Sequence, residues 1–327
     1  MTINARAIQI HEYGSPEVLK LETIVVADPG AGEVRIRNTV IGLNAIDLAY
    51  RRGAMSVSGF PAILGDEAAG IVECVGPGVT SVKVGDRVVC GATAGGAYAT
   101  ARLYRADRVV KVPDCMDDEQ AAGCFLKGLT ARYLLKDVVS LERGDTILYH
   151  AAAGGVGQIF GQWAKALGLR VIGTVSNDHD AAVARWAGYD HVVNCTAQGA
   201  LKGINQICDG RPLVAVYDPI GTDNFASTLK TLASGGTLVR YSRRLGSPPV
   251  PEPDAPAPKT VHLNWISFPH YTASAEHLAA AAADLMATFE AGLLKVDPTH
   301  IYPFGEIVGA HYDLEAGRLT GAAVLSV

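Results

Sequence analysis

The sequence predicts an α/β fold in which a β-rich domain precedes a doubly wound parallel sheet. Three observations carry this. The stretch Thr146-Ile-Leu-Tyr-His-Ala-Ala-Ala-Gly-Gly-Val-Gly157 joins a buried strand to a glycine turn and runs straight into a helical segment, Gln158 to Gly168. From there to about residue 241, strand-like and helix-like runs alternate, as crossover helices require. Roughly the first hundred residues instead hold short alternating runs between turn residues, which is the texture of antiparallel strands.

Taken in order, Glu33-Val-Arg-Ile-Arg-Asn-Thr-Val-Ile41 and Ala69-Gly-Ile-Val-Glu-Cys-Val75 are strands, set between turns at Gly14-Ser-Pro16, Pro29-Gly30, Gly76-Pro77-Gly78 and Gly85-Asp86. That spacing suggests a partly open barrel. From about Asp117 the texture changes, and Glu119 to Leu135 reads as helix. Strands follow near 146–151, 170–175, 190–193, 213–218 and 236–241.

The first of these strands carries the chemistry. Ile147, Leu148 and the small residues after them suit a strand covered on both faces, and from Ile159 onward apolar residues recur at helical spacing. Between them the chain must bend while exposing amide N–H groups. Gly154 has no Cβ, so a pyrophosphate can approach the backbone; Gly157 lets the helix pack close to the strand; the helix N-terminus adds partial positive charge. The first glycine of a Gly-x-Gly-x-x-Gly fingerprint is replaced by Ala152, yet the following strand Arg170-Val-Ile-Gly-Thr-Val-Ser176 completes the Rossmann βαβ unit. Ala153, Gly154, Gly155, Val156 and Gly157 are therefore the expected dinucleotide contacts.

Beyond the sheet, Ser247-Pro-Pro-Val-Pro-Glu-Pro-Asp-Ala-Pro-Ala-Pro258 holds six prolines in twelve residues and can be neither helix nor central strand. It reads as a surface loop, either a spacer or a lid over a ligand. An apolar strand, Val261 to Ile266, then an amphipathic helix opening at Ser274 with Glu276 in its first turn and running to about Leu294, and a closing strand, Ala322 to Val327, complete the chain. The expected domains are residues 1–120, 121–260 and a return to the first domain over 261–327.

Composition narrows the function. The 327 residues are 49% hydrophobic and 19% charged, as in ordinary globular proteins, with a formal net charge of −5 and no basic block. Nucleic acid is not an expected partner. Neither a charged-then-apolar leader nor an apolar run long enough to span a bilayer occurs, so a cytoplasmic protein with no membrane partner is expected. Six cysteines, Cys74, Cys90, Cys115, Cys124, Cys195 and Cys208, are scattered without a C-x-x-C pair, and the nine histidines are equally dispersed. Buried free thiols and no metal site are the expectation.

Taken together, Gly42-Leu-Asn-Ala-Ile-Asp-Leu-Ala-Tyr-Arg-Arg-Gly53, Leu64-Gly-Asp-Glu-Ala-Ala-Gly-Ile-Val72, Val84-Gly-Asp-Arg-Val88, Gly95-Gly-Ala-Tyr-Ala99, Glu119 to Thr130, His150 to Gly157 and Val216-Tyr-Asp-Pro-Ile-Gly221 resemble the zinc-free quinone oxidoreductases of the medium-chain dehydrogenase/reductase superfamily, the group that includes zeta-crystallin. The resemblance runs nearly end to end. It implies a GroES-like β-barrel domain, a Rossmann domain and an active site in the cleft between them. Zinc-dependent alcohol dehydrogenases of this superfamily carry a cysteine where this chain has Asn44 and a histidine where it has Asp66. Without that Lewis acid the substrate must bring its own electrophilicity, as quinones and conjugated enones do. The implied activity is hydride transfer from NADPH to a quinone or to the β-carbon of an enone, the protein orienting the two and excluding water.

By matched position Asn44 faces the nicotinamide and substrate, with Asp47 and Arg51 holding its loop. Tyr50 is read either as a proton donor or as a core tyrosine, since the tyrosine common in these reductases falls where this chain has Ala49. Lys127 and Thr130 match residues lining the cofactor pocket. At the end of the second strand, Ser176 leaves room for a 2′-phosphate, Asn177, His179 and Arg185 are candidate donors to it, and Asp178 and Asp180 oppose it. NADPH is the expected cofactor, with NADH possible. In Arg240-Tyr-Ser-Arg-Arg-Leu245, Tyr241 is placed against the cofactor, and Arg243 and Arg244 either meet the cofactor or an anionic substrate or stay solvated. Phe268 and His270, beside Pro269 and Tyr271, match one wall of the substrate pocket. Two other functions remain open: an enoyl reductase serving one pathway, and a non-catalytic NADPH-binding protein of crystallin type. A homodimer paired along the Val261–Ile266 edge is also expected.

Overall fold

The computed structural model describes residues 2–91, 95–196, 200–208, 210–211, 213–220, 231–241, 262–265 and 271–327. The chain divides into two compact units, Met1–Lys127 with Pro269–Val327, and Gly128–Phe268.

The first unit opens with β1 (Ile3–Ile10), β2 (Lys20–Val26), β3 (Glu33–Leu43), α1 (Ala45–Arg51), β4 (Ala62–Ile63), β5 (Glu67–Val75), β6 (Arg87–Cys90), β7 (Ala101–Arg105) and β8 (Val110–Lys111). Helix α2 (Asp118–Lys136) carries the chain across the unit boundary. Burial in β3 alternates from Val34 to Asn38 and becomes continuous from Val40 to Leu43. The strand thus begins with one wet face and ends covered on both, where it leads into α1.

The second unit contains β9 (Thr146–His150), α3 (Gly155–Ala166), β10 (Arg170–Val175), α4 (Asp178–Trp186), β11 (His191–Asn194), α5 (Ala200–Cys208), β12 (Leu213–Asp218), β13 (Leu232–Arg240) and β14 (His262–Trp265). The six strands are parallel and ordered β11-β10-β9-β12-β13-β14. This is the doubly wound Rossmann order, with the reversal of direction beside β9, the place where sheets of this order commonly bind dinucleotides. Every residue of β9 is buried.

The chain then returns to the first unit through α6 (Ala275–Glu290), β15 (His300–Pro303), α7 (Ile307–Glu315) and β16 (Ala323–Ser326). Strand β16 pairs antiparallel with β3 and closes a sheet ordered β15-β16-β3-β5-β6-β8, with β7 on β3, while β2-β1-β4 forms a smaller sheet. The core between them gathers Ile8, Ile10, Ile41, Leu43, Leu64, Tyr98, Phe304, Ile307 and Leu325.

Two boundaries differ from the sequence reading by four residues each. Helix α6 stops at Glu290 rather than near Leu294, because Gly292 adopts φ 69° and its N–H turns back to the Phe289 carbonyl. Strand β13 starts at Leu232 and not at 236. Helix α7 was not anticipated. The proline-rich 247–258 stretch lies outside the described residues.

Candidate active site

In the second unit, β9 leads into α3 through a glycine-rich turn. Ala151 takes φ 60°, an unusual angle for a residue with a Cβ, and Ala152 N–H returns to the Thr174 carbonyl at 3.0 Å. Gly154 is the N-cap of α3, with no side-chain cap, and no acidic residue lies in the first turn. The amides of Gly155, Val156 and Gly157 head the helix, where the backbone dipoles place partial positive charge. A Cβ on Gly157 would lie 2.6 Å from the carbonyl oxygens of both Ala151 and Ala152, so only glycine permits this approach of helix to turn. Tyr189 holds the turn from behind, its hydroxyl donating to the Gly157 carbonyl at 2.8 Å.

At the end of β10, Asn177 caps α4: its Oδ1 accepts Asp180 N–H at 2.9 Å, and its Nδ2 donates to Asp180 Oδ2, also at 2.9 Å. Ser176 Oγ lies 3.5 Å from the same carboxylate oxygen, and Asn194 Nδ2 lies 3.4 Å from Asp178 Oδ1. The structure therefore brings Ser176, Asn177 and Asp180 together. It does not bring Arg185 to them, since that residue is exposed in the last turn of α4, about 12 Å of helix from the cap. Tyr241 points its hydroxyl at that of Tyr149, and burial holds its pKa well above the tyrosine range. Arg243, Arg244, Phe268, Pro269 and His270 lie outside the described residues; Tyr271 is buried and stacks edge-on against His277.

In the first unit, the end of β3 and the start of α1 carry Asn44 into a buried polar cluster. Asn44 is 7% exposed. Its backbone N–H donates to Asp47 Oδ2 at 2.8 Å, closing the first turn of α1, and its Nδ2 donates to Glu67 Oε2 at 2.9 Å. Glu67, fully buried on β5, also receives Leu126 N–H on Oε1 at 2.5 Å and pairs with Lys127 Nζ at 3.3 Å. A Cβ on Gly42 would lie 2.4 Å from Glu67 Oε2 and 2.3 Å from the Ala122 carbonyl, so this glycine permits β3, β5 and α2 to meet. Lys127 is thus a buried ion-pair partner. Thr130 follows three residues later on α2, half-buried.

Asp47 also accepts the Tyr98 hydroxyl at 2.9 Å, and Tyr98 touches His311 Nε2 at 3.0 Å. Burial raises the Asp47 carboxyl to about 7, and nearby Asp66 adds to the rise. His311 is pushed the other way, to about 3, by burial and then by the Arg51 charge. Tyr50 belongs to the apolar core of this unit; burial, then Asp66 and Asp47, raise its pKa, so it keeps its proton through the neutral range.

Glu67, Tyr98 and His311 were not singled out from the sequence. A signal existed for Glu67: a carboxylate that directly adjoins the apolar run Ala68-Ala-Gly-Ile-Val72 must find a partner when that run is buried. None existed for His311, which sits on the helix the sequence reading left out.

Residues 30–114 match the family described as alcohol dehydrogenase GroES-like domain, and residues 155–283 match the one described as zinc-binding dehydrogenase. The quinone oxidoreductase of Pseudomonas aeruginosa is 39% identical over 98% of this chain and 99% of its own length. The chain belongs to the quinone oxidoreductase family. Within it, a 2-haloacrylate reductase from a Burkholderia species is 36% identical over 98% of both chains. The crystal structure of Escherichia coli quinone oxidoreductase complexed with NADPH superposes with a TM-score of 0.94 at 35% identity, covering 98% of this chain and all of that one.

One family description names zinc, and the Escherichia coli structure holds NADPH. Zinc does not fit the Asn44 and Asp66 positions: one offers a carboxamide already donating to Glu67, and among the described residues no three His, Cys, Asp or Glu side chains converge. A dinucleotide fits the start of α3, where a Cβ on Gly154 would approach only the Ala151 carbonyl and the first turn of the helix carries no acidic residue. Among the described residues no helix is long and apolar enough to cross a membrane.

Proposed function

We propose that this quinone oxidoreductase family member is a zinc-independent, NADPH-dependent reductase of quinones and α,β-unsaturated carbonyl compounds. The observation that carries the reading is the glycine-headed start of α3, free of any side-chain cap or acid, in a chain 39% identical to a protein named quinone oxidoreductase. When bound, NADPH supplies a hydride; with one proton from solvent this converts a quinone to its hydroquinone, or saturates the carbon–carbon bond of an enone.

The chain's residues bind and orient. Ala153 to Gly157 receive the pyrophosphate on backbone amides, and Ser176, Asn177 and Asp180 meet the adenosine ribose. Asn44, anchored by Glu67 and by Asp47, forms the polar wall beside the reacting groups, and Lys127 fixes Glu67 in that arrangement. Tyr50 serves as a hydrogen-bond donor there. Arg243, Phe268 and His270 complete the assignment on grounds of sequence position alone. The relative named 2-haloacrylate reductase supports extending the substrate class to activated carbon–carbon double bonds.

The test is absorbance-monitored oxidation of NADPH and NADH with an ortho-quinone and a small enone as acceptors. Turnover with NADPH ahead of NADH is expected. Tight NADPH binding without turnover on either acceptor would replace this reading with that of a non-catalytic binder. We further propose a cytoplasmic homodimer paired along β14, the last strand of the described sheet order; a monomer in light scattering would refute the dimer.

A further inference from the structure

The hydrogen bonds that reach the Asn44 loop from α7 run in one direction. Arginine can only donate, so the 3.3 Å contact of Arg51 Nη1 with His311 Nδ1 makes Nδ1 the acceptor and places the ring proton on Nε2. That N–H then donates to the Tyr98 oxygen at 3.0 Å, which leaves the Tyr98 proton for Asp47 Oδ2 at 2.9 Å. The same oxygen takes Asn44 N–H at 2.8 Å. At the far end Arg51 is fixed by Glu315 Oε2 at 2.6 Å and by the Gly14 carbonyl at 3.1 Å. Arg51, Asp47, Tyr98 and His311 are all fully buried, although Tyr98 and His311 stand 213 residues apart in the chain.

Apolar side chains of equal volume would fill this space without the cost of desolvating an arginine and a carboxyl. The polar chain therefore contributes orientation more than stability. We propose that Tyr98 and His311 are positioning residues of the reductase, acting through Asp47 to set the Asn44 loop. This rests on the placement of Asn44 in the reaction site given above. Asp47 is faced by the Asn44 N–H, the Tyr98 hydroxyl, Asp66 and Lys127, with Tyr50 nearby; His311 is faced by Arg51 and Tyr98. Tyr98 donates to the carboxylate and so favours its charged form. Since Asp47 titrates at about 7, the limb of activity that rises as it ionises belongs near neutrality.

The experiment compares Tyr98→Phe, His311→Phe and His311→Gln with wild type, measuring kcat and KM for an ortho-quinone across pH, NADPH affinity by fluorescence, and melting temperature. Tyr98→Phe and His311→Phe are expected to lower kcat/KM about tenfold with NADPH affinity unchanged, and Tyr98→Phe to move the pH limb up by about one unit. Glutamine, whose amide can accept from Arg51 and donate to Tyr98, is expected to recover activity to within roughly threefold of wild type. Wild-type kcat/KM and pH limb in both phenylalanine variants would overturn the proposal, even with lower melting temperatures, since that is what a space-filling role predicts. If a phenylalanine variant does not fold, His311→Gln against His311→Asn makes the same comparison, because the shorter amide cannot span both partners; equal activity in the two would overturn it.

Wild-type protein inactive on every quinone and enone would refute the reductase reading separately. Titration of the Asp47 carboxyl by carbon NMR then decides the positioning question alone: a higher midpoint in Tyr98→Phe supports it, and an unchanged midpoint overturns it.

Discussion

Helices α3 and α4 begin at the same edge of one parallel sheet, after adjacent strands, and finish their first turns in opposite ways. Helix α3 opens on Gly154 with neither a side-chain cap nor an acid in its first turn. Helix α4 opens on Asn177, which caps it, and carries Asp178 and Asp180 in its first turn. Both termini have the same dipole, worth roughly half a unit of positive charge. Only α4 carries a capping side chain and acids in its own first turn. In the binding mode proposed above, the pyrophosphate goes to α3, and α4 presents carboxylates to the adenosine ribose.

The contrast is broken most severely by Gly157→Ala. With a Cβ 2.6 Å from two carbonyl oxygens, the turn must shift, and NADPH affinity in a fluorescence titration should fall roughly a hundredfold. Unchanged affinity would show that the close approach of α3 to the turn is dispensable. Gly154→Asp makes α3 resemble α4: the carboxylate caps the helix, adding up to about 1 kcal/mol of stability in denaturant unfolding, and weakens NADPH roughly tenfold. Stability and affinity moving in the same direction would sink the idea that this terminus is reserved for phosphate.

The reverse change, Asn177→Ala, uncaps α4. A loss of about 1 kcal/mol is expected by the same unfolding measurement, with NADPH weakened about threefold through the lost contact to the ribose. The mildest change, Asp180→Asn, removes one carboxylate near the proposed 2′-phosphate. NADPH should tighten about threefold relative to NADH, whose ribose loses a charged partner, so the ratio of the two dissociation constants is the quantity to follow. A ratio that does not move would place the phosphate elsewhere.

Much of the second unit was legible in the sequence. Parallel strands buried on both faces read as unbroken apolar runs, and Ile147-Leu-Tyr149 and Val171-Ile172 are such runs flanking a glycine turn. The cradle was legible for the same reason, being contiguous in sequence. The first unit's site was legible only in part: Asn44 and Asp47 lie within one helical turn, but the groups that hold them do not. Glu67 finds Leu126 and Lys127 about sixty residues on, and Asp47 reaches His311 through Tyr98. Arg185 illustrates the converse, since nearness to Ser176 in sequence became separation along a helix.

The sequence by itself determined the strand order's raw material, the glycine-headed α3 and the absence of a cysteine and a histidine at the Asn44 and Asp66 positions, because each depends on local backbone freedom, periodicity or side-chain type. Tertiary structure alone decided which buried charges meet. Lys127 became a partner for Glu67, and His311 a neutral link between Arg51 and Tyr98, because a polar group removed from water must take whatever donor or acceptor the fold brings within about 3 Å.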